Sequence, residues 1–261
     1  MIYQPTRIDF YQSPVPEPTT FEIEVGKGAV TGASWILKDG INFDIDTGSV
    51  PEDIWDGGGV YTGFPTGSAQ QFVAVSTNAG DTGTLTFYYL ESATSTEYKS
   101  KTITLNGTTP VLTGVSGIRC NYGFYQHQSS LTLFNLGEIS LYHQVTTTNI
   151  FFRMPIGYSQ SYCSAVTIPL GSIGYVFSAT SSIRGAGTTP QYADAITWTR
   201  RFGGSPLLRN AYTLTNNTPY IELLEYAFAI PGQTDFIPRV LAVSTNNSVI
   251  QASYRLLLLK L

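Results

Sequence analysis

Charge is what this chain has least of. Lys, Arg, Asp and Glu make up 12% of its 261 residues, about half the roughly 25% usual in soluble domains. The net charge is −4, and a phosphate-binding surface needs clustered Lys and Arg. The one adjacent basic pair, Arg200-Arg201, falls inside an apparent strand. Nucleic acid is therefore not an expected partner. Cysteine is equally scarce. Cys120 and Cys163 are too few for a disulfide framework and lack metal-ligand spacing, so two buried free thiols are expected.

Catalytic signatures are missing as well. The two histidines, His127 and His143, sit in no HExxH, G-x-S-x-G or Cys-His pattern. His143 alternates with Leu141 and reads as a surface or satisfied core histidine. No glycine-rich phosphate loop follows a strand and opens a helix. Glu222, Glu225, Asp194 and Asp235 are too scattered to nominate as a glycosidase pair. The acidic cluster Asp44, Asp46, Glu52, Asp53 and Asp56 partly echoes a calcium loop. Its third ligand position is missing and Pro51 interrupts it, so solvated carboxylates and turn caps explain it more simply. No catalytic, cofactor or metal residue is assigned, and no enzymatic activity is expected. No apolar run reaches membrane length, and MIYQPTRIDFYQSP lacks the basic-then-apolar plan of a signal peptide. No membrane partner follows. The product is expected to stay where it is made, in the cytoplasm, or to leave as part of a larger particle.

What is present is ordinary apolar content, 42%, with 17 Tyr and polarity drawn from Thr, Ser, Asn and Gln. Such neutral surfaces suit permanent packing against neighbours, and they also suit glycan-binding faces. Tyr88, Tyr89, Tyr122, Tyr125, Tyr158 and Tyr162 could stack on sugars, although in strands half of them must face a core.

The chain is organised around a joint at 49–66, which contains SVPEDIWDGGGVYTGFP. Gly57, Gly58 and Gly59 mark a sharp backbone feature, because three glycines inside a helix or central strand carry an entropic cost. Trp55, Tyr61 and Phe64 are large enough to fix that feature against a core. Residues 1–48 precede it as an arm plus a small hairpin. Pro5, Pro14, Pro16 and Pro18 favour an extended arm. Ile8, Phe10 and Tyr11 within it are apolar enough to dock. Asp39-Gly40 reads as the turn of a hairpin over 33–46.

After the joint, strand signals recur every eight to twelve residues, the spacing of a sandwich or barrel. The expected fold is all-β: two tandem antiparallel β-sandwiches, jelly-roll-like, at 67–148 and 149–261. Strands are expected at 71–76, 83–90, 97–105, 109–113, 118–125, 131–135 and 138–144. The second series is 150–153, 163–169, 173–180, 195–202, 207–214, 219–224, 236–244 and 249–260. Asn106-Gly107 is expected to close a hairpin over 97–113 through a type I′ turn. A helical pattern competes only at 219–229.

Three pieces of sequence resemble a group of virion structural proteins from bacteriophages of marine and freshwater bacteria. IWDGGGVYTGFP (54–65) looks like that group's IWDGGG-aromatic-FP joint. KTITLNGTTPV (101–111) is similar to its ETVTLNGTTPV hairpin, with Lys101 in place of the acidic residue. RRFGGSPLLRN (200–210), IPGQTDFIPRV (230–240) and ASYRLLLLK resemble its RPFGG, IP-x-x-TD and closing-strand signatures. The resemblance implies a virion component with two β-sandwich domains and no known enzymatic activity, and it brings no functional residues. The expected role is an auxiliary head or neck protein that decorates or cements the capsid. Its partners would be the major capsid protein or neck proteins and further copies of itself. The alternative is a tail-fibre or receptor-binding protein that recognises a host glycan.

Overall fold

The computed structural model describes residues 21–128, 134–184, 191–216 and 220–261. The proline-rich arm at 1–20 and most of the strand expected at 131–135 lie outside them. The described chain begins with a single helical turn, α1 (Phe21–Gly26). Glu22 and Glu24 at its start favour the positive end of the helix dipole, and Gly28 at φ +75° follows it. The other elements are strands, as the alternating sequence requires.

Seven of them make a first sandwich. β3 (Gln70–Ser76), β6 (Val111–Gly117), β8 (Ile139–His143) and β9 (Ile150–Met154) form one sheet in the order β6-β3-β8-β9. β4 (Thr84–Leu90), β5 (Lys99–Thr104) and β7 (Arg119–Gln126) form the other, in the order β5-β4-β7. Phe72, Phe87, Phe151 and Phe152 fill the space between the sheets with no more than 1% of their surface exposed. Each fully buried Phe contributes about 1.5–3 kcal/mol to holding the two sheets together. His143 lies in this core as a satisfied histidine. Its Nε2 bonds Gly117 O at 2.8 Å and its ring stacks on Phe72.

The second sandwich uses β1 (Ala33–Ile45), β10 (Val166–Ile168), β11 (Ser172–Arg184), β12 (Tyr192–Arg201), β13 (Leu207–Thr215), β14 (Tyr220–Pro231), β15 (Thr234–Val243) and β16 (Ser248–Lys260). Its sheets run β1-β16-β11-β14 and β10-β15-β12-β13. Numbering these eight in chain order gives 1-8-3-6 and 2-7-4-5. First pairs with eighth, second with seventh, third with sixth and fourth with fifth. That is one long antiparallel ribbon wrapped into two sheets, the jelly roll. Two-residue β2 (Glu52–Asp53) adds to β15.

Two antiparallel sandwiches are therefore present, but not in tandem at 67–148 and 149–261: β9 belongs to the first and β1 to the second, and the pairing shows how they are connected. β1 leaves the jelly roll, the chain builds the whole first sandwich, and β10 returns. The smaller sandwich is an insertion between the first two strands of the larger.

Two local expectations are corrected. Residues 33–46 form no hairpin. β1 is continuous through Asp39 and Gly40, which pair with Ser253 and Ala252. Gly40 is needed for close approach, since a Cβ there would lie 2.5 Å from Ile54 O. Residues 97–113 are not a hairpin either: β5 pairs with β4 and β6 with β3. Gly107 has φ +54° but Asn106 is not in the left-handed region, so the turn is not type I′ and passes the chain from one sheet to the other. The strand expected at 219–224 is present and extends further: β14 covers Tyr220–Pro231 and pairs with β11, so the competing helical pattern is not adopted.

Candidate functional site

The joint fills the seam between the two sandwiches, and its carboxylates organise it. Glu52 Oε2 accepts from Gly59 N–H at 2.7 Å and from Asn42 Nδ2 at 2.9 Å. Asp53 receives Arg239 through two bonds, 2.6 and 2.9 Å, and also Tyr61 N–H at 2.8 Å. Both acids are nearly fully buried, so their negative charge is matched by donors fixed in the fold. Asp56 accepts from Tyr162 N–H at 2.7 Å and Arg153 N–H at 3.2 Å. These acids are internal staples of the turn. Among the described residues no group of three His, Cys, Asp or Glu is placed to hold a metal ion.

Trp55, Tyr61 and Phe64 are 3%, 6% and 8% exposed and pack in series. Trp55 meets Tyr61 edge-on at 5.1 Å, Tyr61 meets Phe64 at 4.8 Å, and Phe64 meets Trp198 of β12 at 6.1 Å. The Tyr61 hydroxyl donates to Phe151 O of the first sandwich at 3.2 Å. The joint aromatics thus touch both units.

The three glycines have different reasons. Gly57 lies under the Trp55 indole, which a Cβ would strike. Gly58 and Gly59 adopt φ +67° and +66° with open space around the missing Cβ. At Gly58 the constraint is conformational, and left-handed geometry costs an L-residue roughly 1–2 kcal/mol. Gly58→Val is expected to lower stability by about that amount, and Gly58→Asn by less, both read from denaturant midpoints. Equal, unchanged midpoints would show that the turn tolerates any residue.

Sequence inspection missed the polar centre of the seam. Arg119 of β7 meets Asp235 of β15 through two bonds, Nε to Oδ1 at 3.0 Å and a terminal nitrogen to Oδ2 at 3.1 Å. Arg119 also donates to Pro65 O at 2.6 Å. Arg200 donates to Asp235 Oδ2 at 3.2 Å and Phe64 O at 2.9 Å. Thr167 completes the carboxylate at 2.7 Å. Phe64-Pro65, Arg200 and Asp235, drawn from three separate motif stretches, thus converge on one buried cluster. The only advance signal was that each lay in a segment of unusual local sequence.

Burial pushes the Asp56 carboxyl up to about 7, against the lowering effect of its hydrogen bonds and of the Lys38 ammonium. A carboxyl raised above its unfolded value stabilises the fold while protonated, and that contribution disappears as pH rises through the folded pKa. The protein is expected to lose stability between about pH 4 and pH 7 for this reason. Thermal melts across that range should show a smaller loss in Asp56→Asn. Cys120 and Cys163 are free and buried, and burial pushes the Cys163 thiol up to about 12.

Of the six tyrosines considered as sugar platforms, Tyr89 and Tyr125 are core residues. Tyr158 and Tyr162 pack edge-on against each other. Tyr88 and Tyr122 stack at 4.7 Å on the outer face of β4 and β7. They form one wall of a cleft of about 950 Å³ between the sandwiches, whose other wall is residues 32–39.

No protein-family model and no curated protein matches the chain. Among solved structures, the infectious bursal disease virus VP2 subviral particle aligns at a TM-score of 0.25 with 9% identity, covering 88% of this chain and 72% of that one. The structure of the Gt strain of that virus aligns at 0.22 with 9% identity, covering 87% and 72%. TM-scores of this size do not establish a shared fold.

Proposed function

We propose that the protein is a structural component of a virus particle, an auxiliary head or neck protein of a bacteriophage that decorates or cements the capsid. The observation that carries this reading is the architecture: a jelly roll joined to a second sandwich through a buried seam of ion pairs. Jelly rolls build viral capsid domains and lectins alike, so fold alone does not select the role. The inward use of the joint carboxylates favours a mechanical role for that region over a catalytic one. The low charged content of the chain adds support, since it suits lasting contact with neighbouring subunits.

The test is the copy number in purified particles of the parent virus, measured by quantitative mass spectrometry. A decorating or cementing protein follows the symmetry of the head, so its abundance should be comparable with that of the major capsid protein. Particles lacking it should lose heat or osmotic resistance and still adsorb to cells. A low copy number with robust particles that no longer adsorb would overturn the reading in favour of receptor binding. The stacked Tyr88–Tyr122 pair is the feature that would then serve a glycan.

A further inference from the structure

β1 is an edge strand, paired on one side only, with β16. Its Ile41 N–H points the other way and donates to Tyr162 O at 3.1 Å. Backbone groups alternate along a strand, so those of Trp35, Leu37 and Asp39 share the outward direction of Ile41. Gly32 O points the opposite way, accepting from Lys260 N–H on β16 at 2.7 Å. At the Ile41 end, residues 159–162 fill the gap to β7, bonding through Tyr125 N–H to Ser159 O and Ser161 N–H to Gly123 O. Beyond it the gap is the open cleft, and every residue from Gly32 to Asp39 lines it. A run of consecutive lining residues means that the backbone edge itself is presented.

Two further features show that the cleft is made for an occupant with hydrogen-bonding groups. The Asn121 Oδ1 and Ser172 Oγ atoms are buried without a partner, and both residues line it. Leaving a buried polar atom unpaired is unfavourable, and a bound donor would relieve it. The facing wall carries stacked Tyr88 and Tyr122, with Phe124 beside them. The occupant should therefore be an extended polypeptide with apolar side chains on one face, added to the sheet edge.

The chain supplies such a segment. Between Pro5 and Pro14 lies TRIDFYQS, eight residues free of proline, matching the eight residues of the exposed edge. As a strand it would place Ile8 and Phe10 on one face and Arg7, Asp9 and Tyr11 on the other. The described chain begins beside the cleft: Glu22 O in α1 accepts from the Trp35 indole at 3.1 Å. Residues 14–20 can span at most about 23 Å, enough to return to the cleft or to cross to an adjoining copy.

We infer that residues 6–13 add to the free edge of β1 in the cleft between the sandwiches. The inference stands apart from the virion reading, since it concerns the isolated protein.

The test uses the full chain. Amide exchange should be slow at Trp35, Leu37 and Asp39, and at least tenfold faster in the Ile8→Asp, Phe10→Asp variant. Ile36 and Lys38, whose amides face β16, should be slow in both and serve as the internal control. A photo-crosslinking residue in place of Tyr122 should capture peptides from 6–13, within one chain or between two. Leu37→Pro removes an outward N–H and leaves the β16 ladder intact, so it should abolish the capture without changing the control amides. Fast exchange at the odd positions in the unaltered protein, or crosslinks only to other segments, would overturn the inference. So would protection of these amides by an added oligosaccharide with no effect of the Ile8 and Phe10 changes, which would give the cleft to a glycan.

Discussion

Asp235→Ala is expected to lower stability by about 3–5 kcal/mol, the usual loss when one member of a buried ion pair is removed. The side chain of Asp235 is fully buried and that of Arg119 is 4% exposed, so solvent cannot replace the lost charge. Arg200, at 21%, can partly rehydrate, and Arg119 cannot. The carboxylate also ties the first sandwich to the second, since Arg119 is on β7 and Asp235 on β15. The variant should therefore unfold earlier in urea, with the two sandwiches losing their coupling. Replacing Arg119 and Asp235 together by Met and Leu should recover much of the loss, because the buried guanidinium is then removed with its partner and, among the charged groups, only the part-exposed Arg200 loses one bond. A single-variant loss below about 1 kcal/mol would place this cluster with ordinary surface pairs.

Gly40→Val is expected to be as damaging, by about 3 kcal/mol or more, for a steric reason. An added Cβ would meet Ile54 O and Ser164 Cβ at 2.5 Å and Ser164 N at 2.7 Å. Two of these are backbone atoms of the segments that lead into and out of the inserted sandwich, so no side-chain rotation relieves the contact. Overpacking that moves backbone lies at the upper end of its usual 1–3 kcal/mol range or beyond it. Because the first carbon makes the clash, Gly40→Ala should be nearly as severe as Gly40→Val. At Gly58, with open space around it, the loss should stay within the left-handed strain. If Gly40→Ala proved neutral in thermal and urea denaturation, the close approach of the three segments would be wrong.

These residues also mark how far sequence patterning reaches. Strand positions were legible because alternation is local: Ile103 and Leu105 between threonines, or Leu256 and Leu257 near the end of the chain, announce themselves within a few residues. Partner choice is not local. Ala33 pairs with Leu259, and nothing near Ala33 specifies that. Asp39-Gly40 illustrates the resulting error. The dipeptide is a good turn signal, yet here the glycine answers a contact with Ile54 and Ser164 on other segments. The joint fared better, since Trp55, Tyr61 and Phe64 stand close in sequence and pack on each other. Its charges did not, because Asp235 and Arg119 are separated by 116 positions and nothing local to either names the other.

The pairing of Ala33 with Leu259 has a mechanical consequence. The first strand of the jelly roll and the last leave the sheet at the same end and run antiparallel. Tension applied between the two ends of the described chain would open β1 from β16 one residue pair at a time, as a zipper parts, because the load falls on single pairs in turn. The inserted sandwich lies outside that path. Its entry and exit segments are fastened side by side, by the Trp55–Cys163 bridge and by the bond from Ser164 N–H to Ile54 O. Force would reach it only after that fastening gave way. Under strain the protein would therefore lengthen first by shedding its outermost strand, with the smaller unit still folded and in place.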